Sequence, residues 1–245
     1  EDWPRGFAVF AMALVPDREA GRAICAGPPL DFSFKELRAS VQIETEEPRS
    51  GVKRSSAPAK EEGAEAGASE KAAAKETTAG GNNSSGLDRK VVIRKITTCV
   101  KLNNNMLETL NGLEAALESA MYSPLQNLQW LDVSFNSLSS VDAELLKFVQ
   151  LKALYLHGNC IAKFGSIQRL QKLPKLLSLT MNGNPIQSNR IYRTYILGVV
   201  PQIRALDHTS VTAEEANEAA SWYRGHVRRM EVRKEQLREL RDLQE

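Results

Sequence analysis

The chain has little of what many proteins are built on. Its three cysteines, Cys25, Cys99 and Cys160, are odd in number and widely spaced among 245 residues. They can form neither a disulfide framework nor a metal-ligand cluster, and they read as reduced thiols. An excess of either charge is missing too. With 32 basic and 30 acidic residues the net charge is +2, too small a field to recruit nucleic acid or an anionic membrane. No apolar run approaches the roughly 20 residues needed to cross a bilayer. Gly6 to Val15 has a faint leader character, but Glu1 and Asp2 precede it and Pro16-Asp17-Arg18 break it off. Opening on Glu1 without Met, residues 1–27 read more readily as a fragment or gene-prediction artefact than as a secretion signal.

Chemistry-bearing motifs are absent as well. There is no G-x-x-x-x-G-K-[ST] loop and no G-x-G-x-x-G after a strand, and the Gly-rich stretch at 79–86 has neither spacing nor flanking strand. His157, His208 and His226 sit in no recognisable nucleophile or ligand pattern. These gaps leave an enzyme without support, and no metal or cofactor is expected.

What is present divides into regions. Residues 1–54 are irregular, with Pro28-Pro29-Leu30-Asp31-Phe32-Ser33-Phe34 as their apolar cluster. Residues 55–90 form a linker of Ala, Glu, Lys, Gly and Ser, with no large apolar side chain between Ser55 and Gly86. Nothing there offsets the entropy of ordering the chain, so disorder is expected.

From about Val91 a pattern repeats. Aligned on asparagine, four copies appear: Val100 to Leu107, Leu128 to Ile-free Leu138, Leu151 to Ile161 and Leu176 to Ile186. Each follows L-x-x-L-x-L-x-x-N-x-L, with Thr97 in the opening position of the first copy. A fifth half-copy, Ile203-Arg204-Ala205-Leu206-Asp207, lacks the asparagine. The L-x-L core is a short strand whose alternate side chains point inward. Asn105, Asn136, Asn159 and Asn184 stand where the chain leaves each strand, where an amide can satisfy buried backbone groups.

The asparagines lie 31, 23 and 25 residues apart. The long first interval holds Leu110, Leu113, Leu117 and Met121 at helical spacing, a helix on the convex side. The fold expected is α/β: a right-handed leucine-rich-repeat solenoid with short parallel concave strands and convex helices or turns, spanning 91–211. Tyr192, Arg193, Tyr195, Pro201 and Leu206 read as its C-terminal cap. Thr212-Ala213-Glu214-Glu215 reads as a capping box opening a helix over 212–245, apolar at Trp222, Tyr223, Val227 and Met230. Beyond Glu231 that helix is mostly charged, with Leu237, Leu240 and Leu243 three apart.

These blocks and the Tyr-Arg…Pro-x-Ile-x-x-Leu-Asp cap resemble the short-repeat class of protein-phosphatase-1 regulators, the spliceosomal U2 A′ protein and axonemal dynein light chain 1. Within that class, four segments resemble the leucine-rich repeat-containing protein 51 family. They are residues 28–34, Glu46 to Gly51, Leu131 to Asn136 and Leu154 to Asn159. The resemblance covers 28–54 and about 95–212, and not the Ala/Gly/Ser insertion. It implies a cytoplasmic, non-enzymatic interaction protein, often associated with cilia or the axoneme. A phosphatase regulatory subunit and a splicing-type ribonucleoprotein component are the alternatives it carries.

In such a coil the third, fifth and seventh template positions face outward from the concave sheet. They are Cys99, Lys101 and Asn103; Trp130, Asp132 and Ser134; Ala153, Tyr155 and His157; Ser178, Thr180 and Asn182; Ala205, Asp207 and Thr209. Of these, Lys101, Asn103, Trp130, Asp132, Ser134, Tyr155, His157, Thr180, Asn182 and Asp207 form the expected partner surface, with Trp130 and Tyr155 as aromatic anchors. Residues 28–54 or the last helix folding back across that face is the competing expectation. Cys160, next to a ladder asparagine, is expected in the core, and Cys99 exposed beside Lys101. The partner is a protein of unidentified kind, with the chain a monomer or a subunit of a larger assembly. Nucleic acid fits poorly, because seven Lys and Arg face eight Asp and Glu from Ala213 to Glu245.

Overall fold

A computed structural model describes residues 15–16, 23–54 and 94–242. The linker and the leader-like segment therefore lie outside the described residues, apart from Val15 and the linker's far edge. Two short strands come first, β1 (Val15–Pro16) and β2 (Ala23–Ala26), then β3 (Leu30–Asp31), β4 (Arg94–Ile96) and β5 (Cys99–Lys101). Helices α1 (Leu113–Ala120) and α2 (Pro124–Asn127) lead to β6 (Trp130–Asp132), β7 (Ala153–Tyr155) and β8 (Ser178–Thr180). Helix α3 (Tyr192–Val199), the strands β9 (Ala205–Leu206) and β10 (Thr209–Ser210), and helix α4 (Ala213–Asp242) complete the order.

The main sheet runs β10-β9-β8-β7-β6-β5-β3, parallel throughout except for the closing β9–β10 hairpin. Its register puts Leu30, Val100, Leu131, Leu154, Leu179 and Leu206 side by side, and all six are fully buried. Burying each such side chain is worth about 1.5–3 kcal/mol, so a row of them drives the stacking. Between strands the chain returns on the convex side through α1 and α2, through 3-10 turns at Ala143–Lys147 and Phe164–Lys172, and finally through α3. Leu113, Ala116, Leu117 and Ala120 form the buried face of α1. A second, three-stranded sheet pairs β1 with β2 and β2 with β4.

Residues 28–54 do not cross the concave face. They form a further repeat at its edge. Strand β3 pairs with β5, and the 3-10 turn Ser40–Glu44 packs against α1 with Leu37 and Ile43 buried. Asp31 N donates to Ser50 O at 3.0 Å, and Arg54 N donates to Ala120 O at 2.8 Å, fastening the segment at both layers. The repeat array thus starts before the linker, not at 91. Its sequence signal is Leu30-Asp31-Phe32-Ser33-Phe34, a near copy of Leu131-Asp132-Val133-Ser134-Phe135. An alignment on asparagine passes over it because Lys35 stands at the ladder position. As the outermost coil it has no preceding repeat whose carbonyls need a donor.

Candidate functional site

The strands that build the core also build the concave face. Alternation sends Cys99, Trp130, Ala153, Ser178 and Ala205 outward in one row, and Asp31, Lys101, Asp132, Tyr155 and Thr180 outward in the next. Trp130 and Tyr155 are half-buried, and their rings meet edge to face at 5.5 Å. The Lys101 ammonium lies 5.9 Å from the Trp130 ring centre. Tyr155 continues to His157 at 6.1 Å and His208 at 6.0 Å, and the two imidazoles are themselves 6.0 Å apart. Phe135, 53% exposed, stands edge-on to His157 at 5.1 Å. A strip of five rings therefore crosses the middle of the sheet. His208 and Phe135 lie outside the template's outward positions, and both reach the strip from left-handed backbone, φ 63° and 52°.

Burial sets the electrostatics of this strip. It pushes the Tyr155 phenol above its ordinary value, opposed by a side-chain hydrogen bond with Trp130 and reinforced by Asp132. It holds the His157 imidazole below its ordinary value, with Asp132 and Asp207 working against that and His208 with it. His157 Nδ1 is 2.8 Å from Thr180 Oγ1. The Cys99 thiol is pushed up by burial, outweighing Thr98 and Lys101, so it is no activated nucleophile.

Several expected surface positions do other work. Ser134 and Thr180 are each 1% exposed and offer nothing to a partner. Ser134 Oγ donates to Asp132 Oδ1 at 2.6 Å, and Ser33 repeats this on Asp31 at 2.5 Å. Asp207 closes the coil instead of facing a ligand. Its Oδ1 accepts from Met181 N at 2.7 Å and Asn182 N at 2.9 Å, and its Oδ2 accepts from Tyr192 Oη at 2.7 Å. Cys160 is exposed, not core, because the position after a ladder asparagine points away from the buried Ile161. Lys101, Asn103, Trp130, Asp132, Tyr155, His157 and Asn182 all keep partial exposure.

Behind the sheet edge runs the ladder. Asn105, Asn136, Asn159 and Asn184 are all buried. Each Nδ2 donates to the carbonyl three residues back and to the matching carbonyl of the previous repeat. For Asn159 these are Leu156 O at 2.9 Å and Val133 O at 3.0 Å. Each Oδ1 accepts an amide from the previous repeat, as Asn159 does from Leu138 N at 3.0 Å. At the far end, Arg193 holds Glu215 through two hydrogen bonds, one from Nη2 to Oε2 at 2.9 Å, and Nη1 reaches Thr209 Oγ1 at 2.9 Å. Glu215 N takes Thr212 Oγ1 at 3.2 Å, but the Glu215 carboxylate goes to Arg193, so only half of the expected capping box forms. Tyr195 packs on Phe164 at 4.3 Å and on Trp222, Tyr223 and His226 of α4, while Pro201 lies exposed in the turn after α3. Helix α4 thus docks on α3, away from the strip. Among the described residues, the ring neighbours of Trp130 and Tyr155 come from the sheet and its closing hairpin turn, not from 28–54 or α4.

Parallel three-residue strands, a buried asparagine ladder and a polar-sealed end define a leucine-rich-repeat protein. A family model described as "Leucine-rich repeat" matches residues 119–236. Leucine-rich repeat-containing protein 51 of Bos taurus is 34% identical over 206 residues, covering 84% of this chain and 90% of that protein. Its Mus musculus counterpart is 34% identical over 209 residues, 85% and 92% respectively. The chain belongs to the leucine-rich repeat-containing protein 51 family. The U2 small nuclear ribonucleoprotein A′ of Saccharomyces cerevisiae is 38% identical over 133 residues, 54% of this chain and 52% of that protein. A chain of the Drosophila melanogaster SNF/U2A′ complex overlaps 52% of this chain and 69% of its own length, with TM-score 0.44 and 21% identity. Among the described residues, no helix is long and apolar enough to cross a membrane.

Proposed function

We propose that the chain is a non-enzymatic adaptor that holds a protein partner on its concave face. The observation that carries this is the strip Trp130–Tyr155–His157–His208, half-buried and lined by Lys101 and Asp132, across which no described segment lies. Aromatic rings with an edge in water and an edge in the protein are the residues that anchor interfaces. The polar atoms of the strip give orientation: an ammonium at one end, imidazoles at the other, and a carboxylate between. From the family resemblance we infer a cytoplasmic assembly of the ciliary or axonemal kind.

A second setting has one observation behind it, the 38% identity with the yeast U2 A′ protein over about half of each chain. In that setting the same concave face holds a protein component of a ribonucleoprotein, and RNA contact is indirect. The test is affinity recovery of partners by the full chain and by Trp130→Ala/Tyr155→Ala. Lost recovery with an unchanged circular dichroism spectrum and melting profile supports the reading. Unchanged recovery by a folded double variant overturns it. Release of the recovered partner by ribonuclease selects the ribonucleoprotein setting.

A further inference from the structure

Helix α4 is one helix with two surroundings. Its first half buries Ala219 and half-buries Trp222, Tyr223 and His226 against α3. The approach is close: a Cβ on Gly198 of α3 would lie 2.6 Å from Tyr223 Cβ and 2.9 Å from Ala219 O. From Arg228 to Asp242 every residue is exposed, so the second half projects from the body. Fifteen residues of helix span about 22 Å, and a helix of that length standing alone in water is marginal.

The docked face does not stop where the body stops. At 100° per residue, the side of α4 that carries Ala219, Tyr223 and His226 continues as Met230, Leu237 and Leu240. These are 54%, 56% and 56% exposed, spaced by seven and then three residues, as along one seam of a coiled coil. Charge is sorted around that seam. Arg229, Arg233, Lys234 and Arg241 border it or sit within it, while Glu231, Glu235, Glu239 and Asp242 all fall on the opposite side. Counted along the sequence the two signs cancel. Around the helix they separate.

We propose that the projecting half of α4 is a second docking surface, and that its occupant is an acidic amphipathic helix of a partner protein. An apolar seam with basic borders is matched by apolar a and d positions with acidic e and g positions. A second copy of α4 in parallel register would set basic borders against basic borders, which disfavours self-pairing. Three apolar side chains interrupted by Arg233 are too narrow a stripe for a membrane surface, and four carboxylates on a fifteen-residue segment oppose a nucleic-acid backbone. The proposal concerns a surface separate from the concave face and does not depend on it.

The experiment uses the full chain and a synthetic helical peptide of about three heptads with Leu at a and d and Glu at e and g. A twin peptide carries Lys at e and g. The full chain is expected to bind the acidic peptide and not the basic one, with affinity falling between about 50 and 500 mM salt. Leu237→Glu/Leu240→Glu should weaken binding by more than roughly tenfold without altering the fold, both sites being exposed. Arg229→Glu/Arg233→Glu/Lys234→Glu/Arg241→Glu should reverse the preference to the basic peptide. Trp130→Ala/Tyr155→Ala should leave peptide binding unchanged, which separates this surface from the concave one. Equal or absent binding of the two peptides overturns the proposal. So does tighter binding to phosphatidylserine vesicles or poly(U) RNA, or a dimer in sedimentation equilibrium that Leu237→Glu/Leu240→Glu dissociates.

Discussion

The ladder and the concave strip grow from the same strands, a few residues apart, and they obey opposite rules. Every ladder asparagine spends its amide on backbone groups of two adjacent repeats, with the same partners at each rung. The strip repeats nothing: Lys101, Asp132, Tyr155 and Thr180 occupy one position in successive strands. Buried groups that are fully satisfied by the chain itself are structural. Half-buried rings and titratable groups of changing identity are what a scaffold leaves free for recognition. The difference identifies function by where repetition stops.

The largest effect expected is on the ladder. Asn159→Ala removes two donors and one acceptor, stranding Val133 O, Leu156 O and Leu138 N in a buried layer. At about 1–3 kcal/mol for each unsatisfied group, partly relieved by relaxation, the loss is on the order of 3 kcal/mol in urea unfolding. Tyr155→Ala, half-exposed on the strip, should cost less than about 1.5 kcal/mol. Equal costs would erase the distinction between the two regions.

The periodic part of this division is what the sequence makes legible. The strands, the convex α1 and the closing unit each recur as spacing, and spacing is visible without coordinates. Two kinds of information are not. The first repeat is separated from the second by the linker and carries Lys35 where the ladder has asparagine, so Leu30-Asp31-Phe32-Ser33-Phe34 hides in plain text. The strip also recruits from outside the template. His208 and Phe135 arrive through positive-φ turns, and Ser134 and Thr180 withdraw because neighbouring side chains take their hydroxyls. Template position says which way a strand residue points, not what it meets there. The same gap separates a count of charges along α4 from their arrangement around it.

The next effect tests how the strip is seated on the ladder turn. Gly158 has φ +66°, and a Cβ there would lie 2.6 Å from Phe135 Cδ1. Gly158→Ala should cost roughly 1–2 kcal/mol from the backbone alone, plus the displacement of Phe135. In a Phe135→Ala background only the backbone cost should remain. A double-mutant cycle with coupling near 1 kcal/mol places Phe135 against the turn, and additive costs would detach it from the strip.

The smallest effect is on pH dependence, and it distinguishes a strip poised for a partner from one that is merely surface. Burial holds the His157 imidazole below its ordinary 6.5, so the folded chain favours the neutral ring. Folding then binds fewer protons at this site than unfolding does. Stability from His157 is fully present above about pH 6.5 and is lost as pH falls toward and through the lowered folded value. Asp132 and Asp207 oppose the shift and His208 supports it, so the groups facing the ring are all on the strip or the cap. His157→Gln should flatten the stability profile between pH 7 and pH 5, measured by urea midpoints across that range. A partner that excludes water from the strip strengthens the same desolvation, so its binding should weaken over the same interval in wild type and not in His157→Gln. If wild type and variant share one profile, free and bound, His157 is solvated in both states and the strip's imidazoles take no part in recognition.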